Sequence, residues 1–290
     1  MNVYTAYRSL TAEQKQFLRS KQVEADRTPD EWLALLMPIA AYDESSGKLR
    51  RRCVILIVIT IVVLFLSIFI LAAAPVVGLV VIIIALASLV PAAIVYRVTS
   101  KLDLQADLRK FVLPLLTILR ADARPNRPLH LFLDLRGSTI KEKQTGQYAP
   151  RAAGAYHKIV ESFYTDPWMN GQMVMADGSN LSWKIVDNIR KLEKTKRNPR
   201  GKIKTKTKIK LKSHLYVQVG LPDNTYSVSE KSEQKKEVGK VALGPGEERN
   251  TVKTHRVVQA TELAPLEPRH FIDVVAAAFR RAVPSGRRSA

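Results

Sequence analysis

Residues 53–96 read CVILIVITIVVLFLSIFILAAAPVVGLVVIIIALASLVPAAIVY and contain no charged side chain. The only strongly polar groups among them are the hydroxyls of Thr60, Ser67 and Ser88. One helix of roughly 44 residues would reach about 66 Å, around twice the ~30 Å hydrocarbon core of a bilayer. Two spans fit, and Ala74-Pro75-Val76-Val77-Gly78 supplies the reversal. The expectation is a transmembrane hairpin with helices over residues 54–73 and 79–97.

The flanks set its orientation. Lys48, Arg50, Arg51 and Arg52 precede the first span, Arg97, Lys101, Arg109 and Lys110 follow the second, and the connecting turn is uncharged. Positive charge concentrates on the cytoplasmic side, so both termini are expected there, in a multi-pass protein of the plasma (bacterial inner) membrane. A cleaved signal peptide needs a short leading region and a shorter apolar core. The spans hold no Asp, Glu, Lys, Arg or His, so the hairpin reads as an anchor; an oligomeric pore would have to be lined by Ser, Thr and small residues.

Outside the spans, Thr11 with Gln14 and Thr28-Pro29-Asp30-Glu31 carry the capping-box pattern and predict two short helices before the membrane. The second, with Trp32, Leu33, Leu35, Leu36 and Ile39, is expected either in the membrane interface or packed on the cytoplasmic domain. Leu104, Leu108, Phe111, Leu115 and Ile118 recur at helical spacing and predict a juxtamembrane helix over residues 99–121. The expected organisation is N-terminal helices over residues 1–52, the hairpin over 53–97, the juxtamembrane helix over 98–121, a cytoplasmic domain over 122–283 and a disordered basic tail over 284–290.

Within that domain the period changes to two. Leu129, Leu131, Leu133 and Leu135 alternate with His130, Phe132, Asp134 and Arg136, which reads as a strand. A loop is expected over residues 137–154 and a weak strand over 156–164. Residues 172–186 form the clearest hairpin, turning at Ala176-Asp177-Gly178-Ser179. Residues 184–194 suit strand or helix and are read as strand, because the hairpin needs a return arm. Residues 223–250 are polar and read as a mobile insertion or a loosely packed long hairpin, followed by a strand at 252–258. Pro268 opens a helix whose apolar stripe of Phe271, Val275, Ala278, Phe279 and Ala282 can cover a sheet. The fold class is therefore α+β: a two-helix membrane hairpin plus a mostly antiparallel β domain, a small sandwich or partly open barrel, with a C-terminal covering helix.

The strongest electrostatic feature lies at residues 190–212, where twelve Lys or Arg face one acid, Glu193, within a chain of net charge +20. From residue 202 the even positions are Lys202, Lys204, Lys206, Lys208, Lys210 and Lys212, and the odd positions are Ile, Thr or Leu. Such a strand carries one lysine face and is longer than most, so its first half should project beyond the sheet as a twisted ribbon. Alternate residues lie about 7 Å apart, inside a Debye length of about 8 Å, so these charges repel unless something neutralises them. Lys202, Lys204, Lys206, Lys208, Lys210 and Lys212, with Arg197 and Arg200, are the expected binding residues. Their partner is an anionic surface, lipid headgroups or an acidic protein; a nucleic acid is the alternative, with only Tyr216 as a stacking ring on that face. A solvated edge strand protected by its lysines is the remaining reading.

Phe132-Leu133-Asp134-Leu135-Arg136-Gly137-Ser138-Thr139 resembles the first metal-binding strand of class III nucleotide cyclases. The resemblance covers these eight residues. It implies a metal-dependent nucleotide enzyme with Asp134 as a ligand and a second aspartate about 44 positions on. Asp177 stands near that place, but Ala176 precedes it and Gly178 follows, which is turn chemistry, and a downstream Asn-x-x-x-Arg pair is missing. His130, His157, His214, His255 and His270 show no metal-ligand spacing, and the P-loop, dinucleotide, nucleophile-elbow and kinase signatures are absent. Cys53, the only cysteine, excludes an internal disulfide and cysteine-pair zinc sites. A non-enzymatic interaction or scaffolding module without cofactor or metal is expected, and an oligomer is compatible with it.

Overall fold

The computed structural model describes residues 3–150, 154, 156–198, 201–228, 241–245 and 249–284. In chain order these form α1 (Val3–Arg8), α2 (Ala12–Ser20), β1 (Gln22–Arg27), α3 (Pro29–Ala73), α4 (Pro75–Lys101), a π-helical turn (Leu108–Val112) and α5 (Leu113–Asp122). Next come β2 (Leu129–Asp134), a 3-10 turn (Lys141–Lys143), β3 (Gln144–Tyr148), β4 (Lys158–Val174), β5 (Asn180–Arg197) and β6 (Ile203–Pro222). The chain continues with β7 (Tyr226–Val228), β8 (Val241–Pro245), β9 (Arg249–Ala260), α6 (Pro268–Phe279) and β10 (Ala282–Pro284). It divides into two units, residues 1–19 with 35–104, and residues 20–34 with 105–290.

In the first unit α2 starts at the expected capping box, with Thr11 N–H donating to Gln14 Oε1 at 2.9 Å and Gln14 N–H to Thr11 Oγ1 at 3.2 Å. The second box also forms, with Thr28 N–H on Glu31 Oε2 at 2.8 Å, but the helix it opens does not stop before the apolar stretch. It runs unbroken from Pro29 to Ala73, so the expected short helix and first apolar helix are one element. No glycine-proline break or cap intervenes between residues 40 and 53, and Pro38 is carried within the helix. The reversal is tighter than the five residues expected: Ala74 alone leaves helical geometry (φ −145°, ψ 86°), and Gly78 already lies inside α4.

The two apolar helices meet along a seam of small residues at heptad spacing. Ser46, Cys53, Thr60 and Ser67 of α3 are buried, as are Gly78, Ala85, Ala92 and Thr99 of α4. A strict seven-residue repeat keeps one seam facing its partner, and small side chains let the backbones close in. At Gly78 an added Cβ would stand 2.5 Å from Leu71 Cα and 2.6 Å from Leu71 N, so only glycine fits there. The hydroxyls do not bury unpaired: Thr60, Ser67 and Thr99 donate to Leu56, Leu64 and Val95 carbonyls of their own helices at 2.7–2.8 Å. Beyond the seam the surface is large and apolar, with Phe65, Phe69 and Ile84 each above 60% exposed.

The second unit is built on one antiparallel sheet, β1-β2-β4-β5-β6-β9-β8, with β3 added on β4. Of the small sandwich or partly open barrel expected, this corrects the sandwich, since one sheet carries the core. The strand path is open at both ends, the other sheet among the described residues is the β7–β10 pair, and helices rather than a second large sheet cover the core face. Phe111 of the π-turn meets Trp168 at 5.6 Å and Phe271 of α6 at 6.5 Å, and Phe271 meets Trp183 of β5 at 5.7 Å, all edge to face. Trp32 at the start of α3 is fully buried and donates its indole N–H to Leu129 O at 3.0 Å, so this segment packs on the sheet. Leu129, Leu131 and Leu133 are also fully buried, each stabilising by roughly 1.5–3 kcal/mol.

Several local expectations change. A strand absent from the sequence expectation, β1, pairs with β2 from Gln22↔Asp134 to Arg27↔Leu129. The juxtamembrane helix is interrupted after Lys101 and resumes as a π-turn at Leu108, where Asp107 accepts Leu266 N–H at 3.3 Å. The expected loop over 137–154 contains the 3-10 turn and β3. The two strand fragments at 156–164 and 172 onward are one strand, β4, because a bulge between Asp166 and Met169 absorbs Pro167. The hairpin turn is as read: Gly178 has φ +86°, and Ser179 N–H donates to Asp177 Oδ1 at 2.8 Å. Residues 184–194 are strand, within β5. Of the polar stretch 223–250, residues 229–240 and 246–248 lie outside the described residues, and the rest includes β7 and β8. Pro284, placed in the tail, pairs with Tyr226; residues 285–290 lie outside the described residues.

Candidate functional site: a cationic sheet face

Strand β6 is uniform in sequence period but not in surroundings. Its second half, from Leu211 on, pairs with β5 and β9 together and buries Leu211, Ser213, Leu215, Val217 and Val219. Its first half has β5 on one side only, and residues 203–208 are exposed on both faces. The projection expected is present. It is wider than a two-stranded ribbon, because β4 pairs with β5 out to Lys158↔Thr195 and β3 flanks β4.

Cross-strand partners share a face, which allows the face to be read row by row. Lys204 stands opposite Lys196, Lys206 opposite Lys194, Lys208 opposite Leu192, Lys210 opposite Arg190 and Lys212 opposite Asn188. The next strand adds Ile159, Glu161, Phe163 and Thr165 to the rows of Lys194, Leu192, Arg190 and Asn188. Five lysines of β6 and three cations of β5 therefore form a two-dimensional lattice, about 7 Å along the strands and about 5 Å across. Glu161 is the one carboxylate in these rows, and it is committed to an ion pair with Arg190. Among the described residues no carboxylate reaches the ammonium groups of Lys204, Lys206, Lys208, Lys210 or Lys212. Two unit charges 7 Å apart in water repel by about 0.6 kcal/mol before screening, so the face stores repulsion that an anion would relieve.

Not every expected binding residue is on this face. Arg197 pairs with Ile203 and so belongs to the opposite one, a consequence of strict alternation that a charge count along the chain does not register. Lys202 lies in the turn, where its carbonyl accepts Asn198 N–H at 2.9 Å, and Arg200 is outside the described residues. In the other direction, the sequence reading missed Arg190, Lys194 and Lys196 as members of the face. Their even numbering in a strand antiparallel to β6 was the available signal, but it needed the register.

The face also carries more rings than Tyr216. Exposed Phe163 lies beside Arg190, and exposed Tyr148 pairs with Glu161. Below Lys212, His214, His255 and Tyr216 stand with nearly parallel rings: 5.3 Å between the two imidazoles and 4.4 Å between Tyr216 and His255. His214 Nδ1 and His255 Nε2 share a hydrogen bond of 3.1 Å. Burial, then His255 and Lys212, hold His214 below the ordinary imidazole range.

The cyclase-like segment serves a different purpose. Asp134 is 4% exposed and gripped by Arg136, whose Nε donates to Oδ1 at 3.1 Å and whose Nη2 donates to Oδ2 at 3.0 Å. Lys143 bridges Asp134 at 3.2 Å and Asp166 at 2.6 Å. Asp177 is in the β4–β5 turn, where Ser179 and Tyr226 donate to it, several residues along the sheet from the Asp134 end of β2. His130 contacts Asp26 at 3.0 Å and Glu24 at 3.4 Å. Among the described residues no three of His, Cys, Asp and Glu converge as metal ligands.

Behind this network Asp166 pairs across the sheet with Asp187. Burial pushes Asp187 up to about 7, Ser213 opposes the shift, and Asp107 and Asp166 reinforce it. A carboxyl whose folded value lies above its unfolded 3.8 contributes stability that is complete below 3.8 and lost as pH rises through about 7. Asp187→Asn is therefore expected to be more stable than the parent at pH 8, by on the order of 2 kcal/mol relative to pH 5. Urea unfolding followed by tryptophan fluorescence in detergent checks this; parallel stability curves for the two proteins would contradict it.

The chain is thus an α+β protein that joins two long apolar helices to an antiparallel sheet with one strongly cationic face. No protein-family model matches it, and comparison with curated proteins and with solved structures finds no significant match.

Proposed function

We propose that the chain is a membrane-anchored interaction module: α3 and α4 cross a plasma membrane, of the bacterial inner type, as a hairpin with both termini cytoplasmic, and the cationic sheet face docks on anionic lipid headgroups. The anchor is supported by two helices of sufficient length and apolar character, only 11% and 17% buried in their most apolar windows. A core helix of a soluble protein would be mostly covered, and an apolar surface this size needs a non-aqueous environment. Basic flanks on both sides of the hairpin support the orientation.

One observation carries the docking. The eight cations on the rows from Lys204 to Lys212 form a lattice rather than a line, with a single, already paired carboxylate among them. A sheet of headgroups can meet all of them at once, and each lysine near such a surface contributes about 1 kcal/mol. An acidic protein offers the same charge but must match the lattice in shape.

The test is lysine acetylation footprinting of the full chain in liposomes. Lys204–Lys212 should be protected when anionic lipid replaces zwitterionic lipid, and protection should vanish in 1 M salt. Lys206→Gln with Lys208→Gln should weaken docking by about 2 kcal/mol, roughly thirtyfold. Equal reactivity in both lipids would overturn the lipid reading.

A single-stranded nucleic acid is the second reading, favoured by the rings Phe163, Tyr148, Tyr216, His214 and His255 that share the face with the cations. Stacking rings interleaved with positive charge are what sequence-tolerant strand binding requires. It predicts oligonucleotide affinity that falls steeply with salt and is lost on Tyr216→Ala, with no dependence on lipid composition.

A further inference from the structure

At the end of the sheet away from the lysine tip, three connections line an open cleft of about 620 Å³, on whose rim Arg124 and Arg127 are solvent-exposed. Its walls are Arg124 and Arg127 from the α5–β2 connection, Asp177 and Asn180 from the β4–β5 turn, and Asp223, Asn224 and Thr225 after β6. The walls are tied together by backbone: Arg124 N–H donates to Val174 O at 3.0 Å, and Ala176 N–H to Asp122 O at 2.8 Å. The volume falls within the range of small-molecule sites, about 300–1,000 Å³.

The distribution of charge inside it is informative. Both carboxylates hold the turns: Asp177 accepts Ser179 N–H, the Ser179 hydroxyl and the Tyr226 hydroxyl at 2.8–3.0 Å, and Asp223 accepts Asn250 N–H at 3.2 Å. Neither guanidinium is so used. Although two carboxylates line the same cleft, among the described residues Arg124 and Arg127 make no ion pair. Two forked cations three residues apart, in a cleft whose own acids are engaged, suit a dianionic oxygen group, which guanidinium binds through paired N–H donors. Asn180 adds an amide beside it, and the Thr225 hydroxyl, which donates to Asn224 Oδ1 at 3.1 Å, leaves its own lone pairs and the Asn224 amide N–H groups for ligand hydroxyls.

We propose that this cleft binds a soluble phosphomonoester carried on a polyhydroxylated small molecule, the phosphate on Arg124 and Arg127 and the hydroxyls on Asn180, Asn224 and Thr225. The site is independent of the lysine face.

The experiment is calorimetric titration of the detergent-solubilised full chain at low salt with ribose 5-phosphate, inorganic phosphate and ribose. Ribose 5-phosphate should bind more tightly than inorganic phosphate, and ribose should not bind. Arg124→Gln and Arg127→Gln should each weaken it about tenfold. Lys206→Gln with Lys208→Gln should leave it unchanged, so failure of the lysine-face reading does not touch this result. Absence of heat with ribose 5-phosphate overturns the proposal, as does affinity that survives both arginine substitutions or falls only with the lysine pair. Binding displaced by nanodiscs containing phosphatidic acid, in preference to the sugar phosphate, overturns the soluble ligand in favour of a headgroup.

Discussion

Lys143→Met is expected to destabilise the sheet unit by about 3–5 kcal/mol at pH 8, the range found when one member of a buried ion pair is removed. Lys143 is 7% exposed, yet it meets Asp166 at 2.6 Å and Asp134 at 3.2 Å. Arg136 keeps its grip on Asp134 in the variant, so the uncompensated charge falls on Asp166, 1% exposed. Burial already pushes the Asp166 carboxyl up to about 6, with Lys143 opposing the shift. The sign follows from that. A carboxyl raised above 3.8 favours folding at low pH and loses this contribution as pH rises through about 6; without Lys143 the folded value rises further. The deficit of the variant should therefore be largest above pH 7 and smallest near pH 5, where Asp166 takes up a proton. Adding Asp166→Asn should restore most of the loss at pH 8. Urea unfolding at the two pH values measures all of this, and a deficit independent of pH would refute the assignment.

Gly171→Ala should cost about 3 kcal/mol, at the upper end of what overpacking a core does. A Cβ at this position would stand 2.7 Å from Trp183 Cε2 and 2.9 Å from Cη2. The indole cannot swing away, because it is 4% exposed and packs edge-on against Phe271 at 5.7 Å. Gly171 and Trp183 are cross-strand partners, so the close approach is set by the register of the β4–β5 hairpin. The physical cause makes a second prediction: in a Trp183→Leu background the same glycine substitution should cost under 1 kcal/mol. Thermal melts of the four proteins in the cycle decide it, and additive effects would show that the penalty comes from backbone conformation instead.

Elements defined by local repetition were legible in the sequence. The apolar run, the two capping boxes, the Asp-Gly hairpin, the lysine alternation and the Pro268 helix start all appear in the structure, because side-chain period and terminal chemistry act over a few residues. Boundaries that depend on the surroundings were not. Residues 40–52 contain nothing that ends a helix, yet nothing in their pattern announced that α3 would run on through them. Strand β1, Gln-Val-Glu-Ala-Asp-Arg, has too few apolar residues to read as a strand; its place at the sheet edge comes from pairing with β2. The small-residue seam is visible as a seven-residue spacing only once both helices are seen face to face.

The candidate site divides the same way. That β6 presents lysines on one face follows from its own alternation, and the amino-acid order settled it together with the apolar stretch and the antiparallel character of the sheet. The neighbours were decided by tertiary structure: which face Arg197 takes, the arrival of Arg190, Lys194 and Lys196 beside the lysines, and the approach of His255 to His214 across 41 positions. The reason is geometric. Alternation along a strand is a covalent constraint, whereas the register between strands is chosen by burial of the opposite face, and a shift of one residue would exchange every partner on the cationic one.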